Sequence, residues 1–449
     1  MKYAQTKQIS TLKAKYVFLT LFLLSGVSAC DLQIIGPPPL QQAHQRVQVA
    51  QRGKGYTLLR DGQPFRIQGA SGQPRYLREL AEAGGNCLRV YDTLALGRVL
   101  DSAHQYGIAI IADLPLPKSR YLDFYRDPQR VSATYRAYRA LVRRHKDHPA
   151  LLMWMLGNEL DFPYKPNYAP FYRTYNDLLA MIKREDSQHP VATALTNFER
   201  RTLTNIRLKV SGLDMLGINT FGLLKDLKKD MADFAWMWDG PYFVSEWSIN
   251  GYWEVPKTAW GAPLENAGWK KHEELLQRFR REMPADDPRF LGSCMFYWGQ
   301  KQELTATWFN AFTENGHPTA LYAAYARLTS DTLVYSPAPQ VEYLLVDGMG
   351  GQDHIMLQPR TEYQATLAFR SPPGPSLQTQ WSLRSEDWYS LELDTLVPVV
   401  AYDRLLIEAD TLRLKFRTPG SEGPYRLFAT LKYPNSIATT VNAPFYVVE

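Results

Sequence analysis

Two glutamates stand where paired-carboxylate chemistry would place them. Glu159 ends an apolar run in Leu156-Gly157-Asn158-Glu159, and Glu246 ends another in Phe243-Val244-Ser245-Glu246-Trp247. Two carboxyl groups facing each other across a small gap suit glycoside hydrolysis. One protonates the leaving oxygen, and the other attacks the anomeric carbon at a separation of about 5–5.5 Å or activates a water at about 6.5–9.5 Å. A lone Glu after a strand more often caps a helix or holds an ion pair, so it is the pair that points to chemistry. Competing sites are weaker. Ser245 lacks a Gly-x-Ser-x-Gly elbow. His145 and His148 are three apart at a strand entry before Pro149. No metal and no cofactor is expected.

For both carboxylates to reach one cleft, their runs must be strands ending on one side of a sheet. Eight short apolar runs fit that need: 65–70, 86–92, 108–114, 150–156, 190–196, 214–219, 241–247 and 290–298. Amphipathic stretches separate most of them, several closing in Gly or basic residues as helix ends do. Continuous apolarity suits a parallel sheet covered by helices. Eight such units predict a (β/α)8 TIM barrel over 54–335, with function at the C-terminal ends of its strands. A doubly wound sheet is the alternative, but no Gly-rich turn follows the first run. After Pro337-Ala338-Pro339 the pattern becomes short strands between Gly, Pro and Asn turns. This predicts a small immunoglobulin-like β-sandwich over 338–449. That domain reads as a spacer, a glycan-binding module or a cover for one barrel face.

The N-terminus has Lys2, Lys7, Lys13 and Lys15, then the apolar run YVFLTLFLLSG, then Val27-Ser28-Ala29-Cys30. The run is too short to span a bilayer and has the length of a signal segment. Its end resembles a bacterial lipoprotein lipobox, which implies residues 1–29 as a signal peptide, lipidation at Cys30 and a cell-envelope location on a lipid anchor. Residues 30–53, rich in Gln and Pro, read as a tether. Of the formal charge of +6, four units belong to the leader lysines, leaving +2. With no basic cluster interleaved with aromatics, no nucleic-acid partner is expected. Cys87 and Cys294, each in an apolar run, read as buried thiols.

The stretch from Arg143 to Glu159 (RRHKDHPALLMWMLGNE) resembles the strand-four signature of glycoside hydrolase family 2: a basic helix end, His-Pro, an apolar strand with Trp, and Gly-Asn-Glu. YTLLRDGQPFRIQG (56–69) is similar to the hairpin that leads into that family's barrel, and Gln188-His189-Pro190-Val191 to its strand-five entry. The resemblance spans about residues 54–330. It implies a retaining clan A glycosidase on a β-linked oligo- or polysaccharide, with Glu159 as acid/base and Glu246 as nucleophile. It further implies Asn158 on the sugar 2-hydroxyl, Arg89 holding Glu246 ionised, Asn219 and Trp247 among the substrate contacts, and Trp298 as the floor of the central subsite. The chain departs from the family at Phe221, where a Tyr usually bonds the nucleophile; Tyr252 and Tyr297 are candidate substitutes. With only the tether read before the barrel, the family's N-terminal jelly roll is not expected. A transglycosidase acting through the same intermediate, and a non-catalytic glycan-binding lipoprotein, are the alternatives. Eight of the eleven tryptophans lie between 236 and 308, and those in the loop around Gly251–Gly261 are expected to be exposed sugar platforms.

Overall fold

A computed structural model describes residues 46–330, 338–386 and 398–449. Cys30, the signal segment and most of the tether lie outside the described residues. Three short strands come first: β1 (Val47–Arg52), β2 (Gly55–Arg60) and β3 (Gln63–Pro64), paired antiparallel in that order. The tether therefore ends before residue 47 rather than at 53. The alternation in VQVAQR buries Val47, and Val47 N–H bonds the Gln188 carbonyl. With Leu58 and Phe65 this hairpin packs on the apolar side chains inside the barrel, closing its floor.

All eight apolar runs are strands of one closed barrel: β4 (Ile67–Gly72), β5 (Cys87–Val90), β6 (Ala109–Leu114), β7 (Leu151–Asn158), β8 (Val191–Thr196), β9 (Met215–Asn219), β10 (Tyr242–Trp247) and β11 (Phe290–Trp298). Neighbours pair parallel, and β11 closes on β4. Ile111, Met153, Met155, Phe243 and Cys294 fill the interior, while the alternate residues face the helices. Cys87 and Cys294 are free and buried inside the barrel; burial pushes the Cys87 thiol up, and neighbouring Cys294 adds to the rise. Around the barrel run α1 (Leu77–Glu82), α2 (Leu96–Gln105), α3 (Leu122–Arg126), α4 (Pro128–His145), α5 (Ala169–Glu185), α6 (Arg200–Lys209), α7 (Leu224–Asp233), α8 (Gly268–Glu282) and α9 (Ala320–Thr329). Helices α6 and α7 are largely polar but bury Leu203 and Ile206, and Leu224, Leu227 and Met231.

The C-terminal strands are β12 (Val341–Val346), β13 (Met356–Leu357), β14 (Glu362–Phe369), β15 (Gln378–Ser385), β16 (Leu406–Ala409), β17 (Arg413–Arg417), β18 (Gly423–Lys432) and β19 (Thr439–Val447). They form two four-stranded sheets, β12-β14-β17-β16 and β13-β19-β18-β15, which share one apolar core. A buried ionic cluster fixes these sheets to the barrel. Glu265, in the loop before α8, pairs with Lys271 and accepts hydrogen bonds from Thr305, Thr307 and Asn442 at 2.8 Å each. Arg426 of β18 pairs with Glu386 and donates to the Asn442 side chain and the Pro263 carbonyl. Lys271 and Arg426 hold the Glu265 carboxyl below its ordinary range, overcoming the opposite push of burial.

Candidate active site

The C-terminal ends of β5, β6, β7, β9 and β10 deliver one hydrogen-bonded cluster. Arg89, at 0% exposure, is its hub. It makes a two-pronged bond to Asp113 (Nε–Oδ1 3.0 Å, Nη2–Oδ2 2.7 Å), reaches Glu246 Oε1 at 2.9 Å, and donates to the side-chain oxygens of Asn158 (2.8 Å) and Asn219 (3.2 Å). The Asn219 amide nitrogen donates to Glu159 Oε1 at 2.9 Å and to Asn158 Oδ1 at 3.0 Å, and Ser245 Oγ donates to Asn219 Oδ1 at 2.7 Å. Glu159 and Glu246 are thus joined through Asn219 and Arg89. Lys118 adds a bond from its ammonium to the Glu159 carbonyl (2.8 Å) and lies 3.5 Å from the carboxylate.

Irregularities near the C-terminal ends of the strands aim these groups. Along β10, Val244 and Glu246 pair with the consecutive residues Ile218 and Asn219 of β9, so Ser245 is an extra residue. The bulge turns Glu246 into the barrel mouth, a common use of bulges beside active sites. In β7, Met155 and Asn158 oppose Ala192 and Ala194, again one residue in excess. Gly157 takes φ +77° there, and a Cβ on it would meet Leu160 Cδ1 at 2.4 Å. Glu159 follows at φ +53°, a left-handed conformation that is costly for a non-glycine residue and is often kept at functional sites.

Electrostatics departs from expectation. Burial pushes the Glu246 carboxyl up to about 7; Arg89 opposes the rise, and the nearby Glu159 adds to it. Arg89 thus acts in the expected direction, favouring the ionised form of Glu246, and burial outweighs it. Burial is the larger effect; Asp113, which takes two of the guanidinium's bonds, adds a smaller upward push. Asp113 is itself raised by burial, against the pull of Arg89.

Two aromatic assignments are also corrected. Trp298 is wholly buried, packed on Phe312, Tyr322 and Tyr325, and its indole N–H donates to the Tyr76 carbonyl at 2.9 Å. It has no free face for a sugar. Trp247 is buried against Phe279 of α8. A β11 bulge between Phe296 and Trp298 sends Trp298 outward and leaves half-buried Tyr297 beside Tyr91, with ring centroids 6.5 Å apart. Of the eight clustered tryptophans, only Trp236 and Trp253 are exposed. Trp253, at 48% exposure, packs edge-on to Phe221, which lies among Phe296 and Phe309.

Sequence reasoning missed Asp113, Lys118 and Tyr91. Tyr91 follows β5, with the Arg89 guanidinium 4.9 Å from its ring centroid. Its hydroxyl is buried and has no hydrogen-bond partner among the described residues; burial, then the charge of Glu246, push it up. Asp113 stands one residue before the end of the third apolar run, so the criterion that picked out Glu159 and Glu246 comes close to finding it.

Residues 88–251 match the family model described as Glycosyl hydrolases family 2, TIM barrel domain. Beta-glucuronidase of Rattus norvegicus is 23% identical over 323 residues, covering 64% of this chain and 48% of the relative. Among solved structures, a beta-D-glucuronidase for Dictyoglomus thermophilum aligns with TM-score 0.50 at 18% identity, over 64% of this chain and 54% of that one. A calcium-binding mutant of Bacteroides uniformis beta-glucuronidase 2 aligns with TM-score 0.50 at 15% identity, over 88% and 47%. The chain spans about half the length of these relatives. The barrel shares the TIM-barrel fold of these structures, and its residues 88–251 are similar to the family 2 TIM-barrel domain.

Proposed function

We propose that this protein is a retaining glycosidase acting on a β-linked glycan. The observation that carries the reading is the joined pair Glu159 and Glu246, set at the ends of β7 and β10 and bridged by Asn219 and Arg89. Ionised Glu246 attacks the anomeric carbon as the glycosidic C–O bond breaks, and the Glu159 proton passes to the departing oxygen. Glu159 then takes a proton from water, whose oxygen displaces Glu246 from the sugar and regenerates both groups. Asn219, donating to Glu159, and Arg89, donating to Glu246, hold the two carboxyls in register. Tyr91 supplies the hydroxyl that Phe221 lacks. Because burial places Glu246 near 7, the reactive form accumulates as pH rises through neutrality.

Beta-glucuronides are the first substrates to assay, given the relatives' names. Aryl β-glucuronide, β-glucoside and β-galactoside should be offered to the wild type, Glu246→Gln and Glu159→Gln. The expected result is turnover of one of them by the wild type, reduced at least about a thousandfold in Glu246→Gln, with an activated fluorosugar labelling Glu246. A wild type as inert as the variant, with Glu246 unlabelled, would overturn the proposal. Transfer to a sugar acceptor is the second reading. It is favoured by Tyr121, Tyr164 and Trp253, exposed on loops that follow β6, β7 and β10 and thus on the mouth side. Chain lengthening seen by mass spectrometry supports transfer, and shortening alone supports hydrolysis. The lipobox-like sequence supports an envelope anchor at Cys30, checked by metabolic labelling with a fatty acid in wild type and Cys30→Ser.

A further inference from the structure

A cavity of about 320 Å³ lies between the barrel and the C-terminal sheets, walled by both. One wall is the outer face of the β13-β19-β18-β15 sheet. Side chains alternate along strands, so Trp381, Leu383, Leu427, Ala429 and Leu431 enter the core while their neighbours face outward. The register sets Gln378 opposite Lys432, Gln380 opposite Thr430, and Ser382 opposite Phe428. Thr440 of β19 extends the middle row beside Thr430. The facing wall is the loop after β11, with Phe312, Asn315 and His317.

The two walls are fixed to each other. Arg384 makes two bonds to Glu314 at 2.7 and 2.9 Å, and the Ala438 N–H bonds the Pro318 carbonyl at 2.7 Å. This is a standing cavity of ligand-site size.

Its lining has unspent polar capacity. The side chains of Gln378, Gln380, Asn315, Thr430 and Thr440 have no hydrogen-bond partner among the described residues. The charges are answered unequally. Arg384 meets Glu314, and Lys271 meets Glu265. Lys432 has no carboxylate partner among the described residues; its ammonium donates to His317 Nε2 at 2.9 Å, and burial together with Lys432 keeps that imidazole below its ordinary pKa. One cation without a carboxylate partner among the described residues, set among amides and hydroxyls, suits a carboxylate on a polyol, and is too little charge for a phosphate dianion.

We propose that this cavity binds a sugar ring bearing a carboxylate. Lys432 pairs with the carboxylate, Gln378, Gln380, Thr430 and Thr440 bond the ring hydroxyls, and Phe428 offers apolar surface to the ring carbons. The site is separate from Glu246 but shares a loop with the mouth, since Phe309 of the loop after β11 packs on Phe221 and Trp253. A distal sugar of a bound chain is therefore a natural occupant.

The test is calorimetric titration of the full chain with methyl β-D-glucuronide, using methyl β-D-glucoside as the neutral control. Wild type and Glu246→Gln are expected to keep the cavity site. Lys432→Gln and Thr430→Trp, the second filling the space without touching the ionic cluster, should each weaken it at least tenfold while any aryl-glycoside turnover stays unchanged. A wild type that binds no glucuronide, or both cavity variants binding it as the wild type does, would overturn the proposal. Binding is read without turnover, so failure of the hydrolase reading would show separately, in the aryl-glycoside assays.

Discussion

The molecule buries two ionic clusters of similar make-up and treats their carboxylates in opposite ways. At the interface with the C-terminal sheets, Lys271 and Arg426 face Glu265 and Glu386, and Glu265 gains three further donors. In the barrel mouth, Arg89 alone serves both Asp113 and Glu246. The first cluster matches each charge, and Glu265 is held low. The second leaves one carboxylate undersupplied, and Glu246 rises to about 7. Burial pushes both upward, so the supply of cations decides the sign. A matched cluster holds two domains together, whereas a short-changed one keeps a carboxyl poised near neutrality, where a proton can come and go.

The interface cluster should be the more damaging to break. Lys271→Met leaves Glu265 buried without its nearest cation and is expected to cost about 3–5 kcal/mol in urea unfolding. An unchanged midpoint would mean the two domains are held by apolar contact alone. The same contrast predicts opposite pH slopes. Glu246 has a folded pKa raised above its unfolded value, so wild-type stability falls as pH rises from about 4.5 through about 7, by on the order of 3 kcal/mol at 1.36 kcal/mol per unit. Glu265 is depressed, so its contribution is present above its unfolded value and lost as pH falls through the folded one. Unfolding across about pH 2 to 8 should show Glu246→Gln abolishing the first slope and Glu265→Gln the second, which lies below about pH 4.5. Parallel slopes in both variants would contradict the comparison.

Asp113→Asn sharpens the same point within the mouth. Arg89 then serves Glu246 alone, and the acid limb of kcat/KM should move down from near 7 by about one unit. A limb that stays in place would show that the sharing of Arg89 adds nothing to the rise of Glu246.

What could be read in advance follows from these differences. The eight barrel strands were visible because a parallel sheet buried on both faces is continuously apolar. Glu159, Glu246, Arg89, Asn158 and Asn219 could be placed at strand ends by counting. Counting failed where strands carry extra residues. The β11 irregularity turns Trp298 into the helix layer and leaves Tyr297 beside Tyr91, and no residue type marks it. The sharing of Arg89 was hidden for another reason: Asp113 lies 24 residues away from it in sequence, and only the closed sheet brings β5 and β6 side by side.

The smallest expected effect separates two aromatic positions that sequence could not rank. Tyr91 and Phe221 each follow a barrel strand, yet only Tyr91 acts on Glu246, while Phe221 is locked among Phe296, Phe309 and Trp253. Removing the hydroxyl in Tyr91→Phe should cut kcat about tenfold, near 1.4 kcal/mol, with KM nearly unchanged. The acid limb should also move upward, because a hydroxyl that lowers Glu246 is gone. Adding Phe221→Tyr to that variant should restore nothing, since the new hydroxyl would enter an apolar cluster with no carboxylate in contact. Recovery of activity in the double variant would instead place the nucleophile's partner at residue 221 and remove Tyr91 from the site.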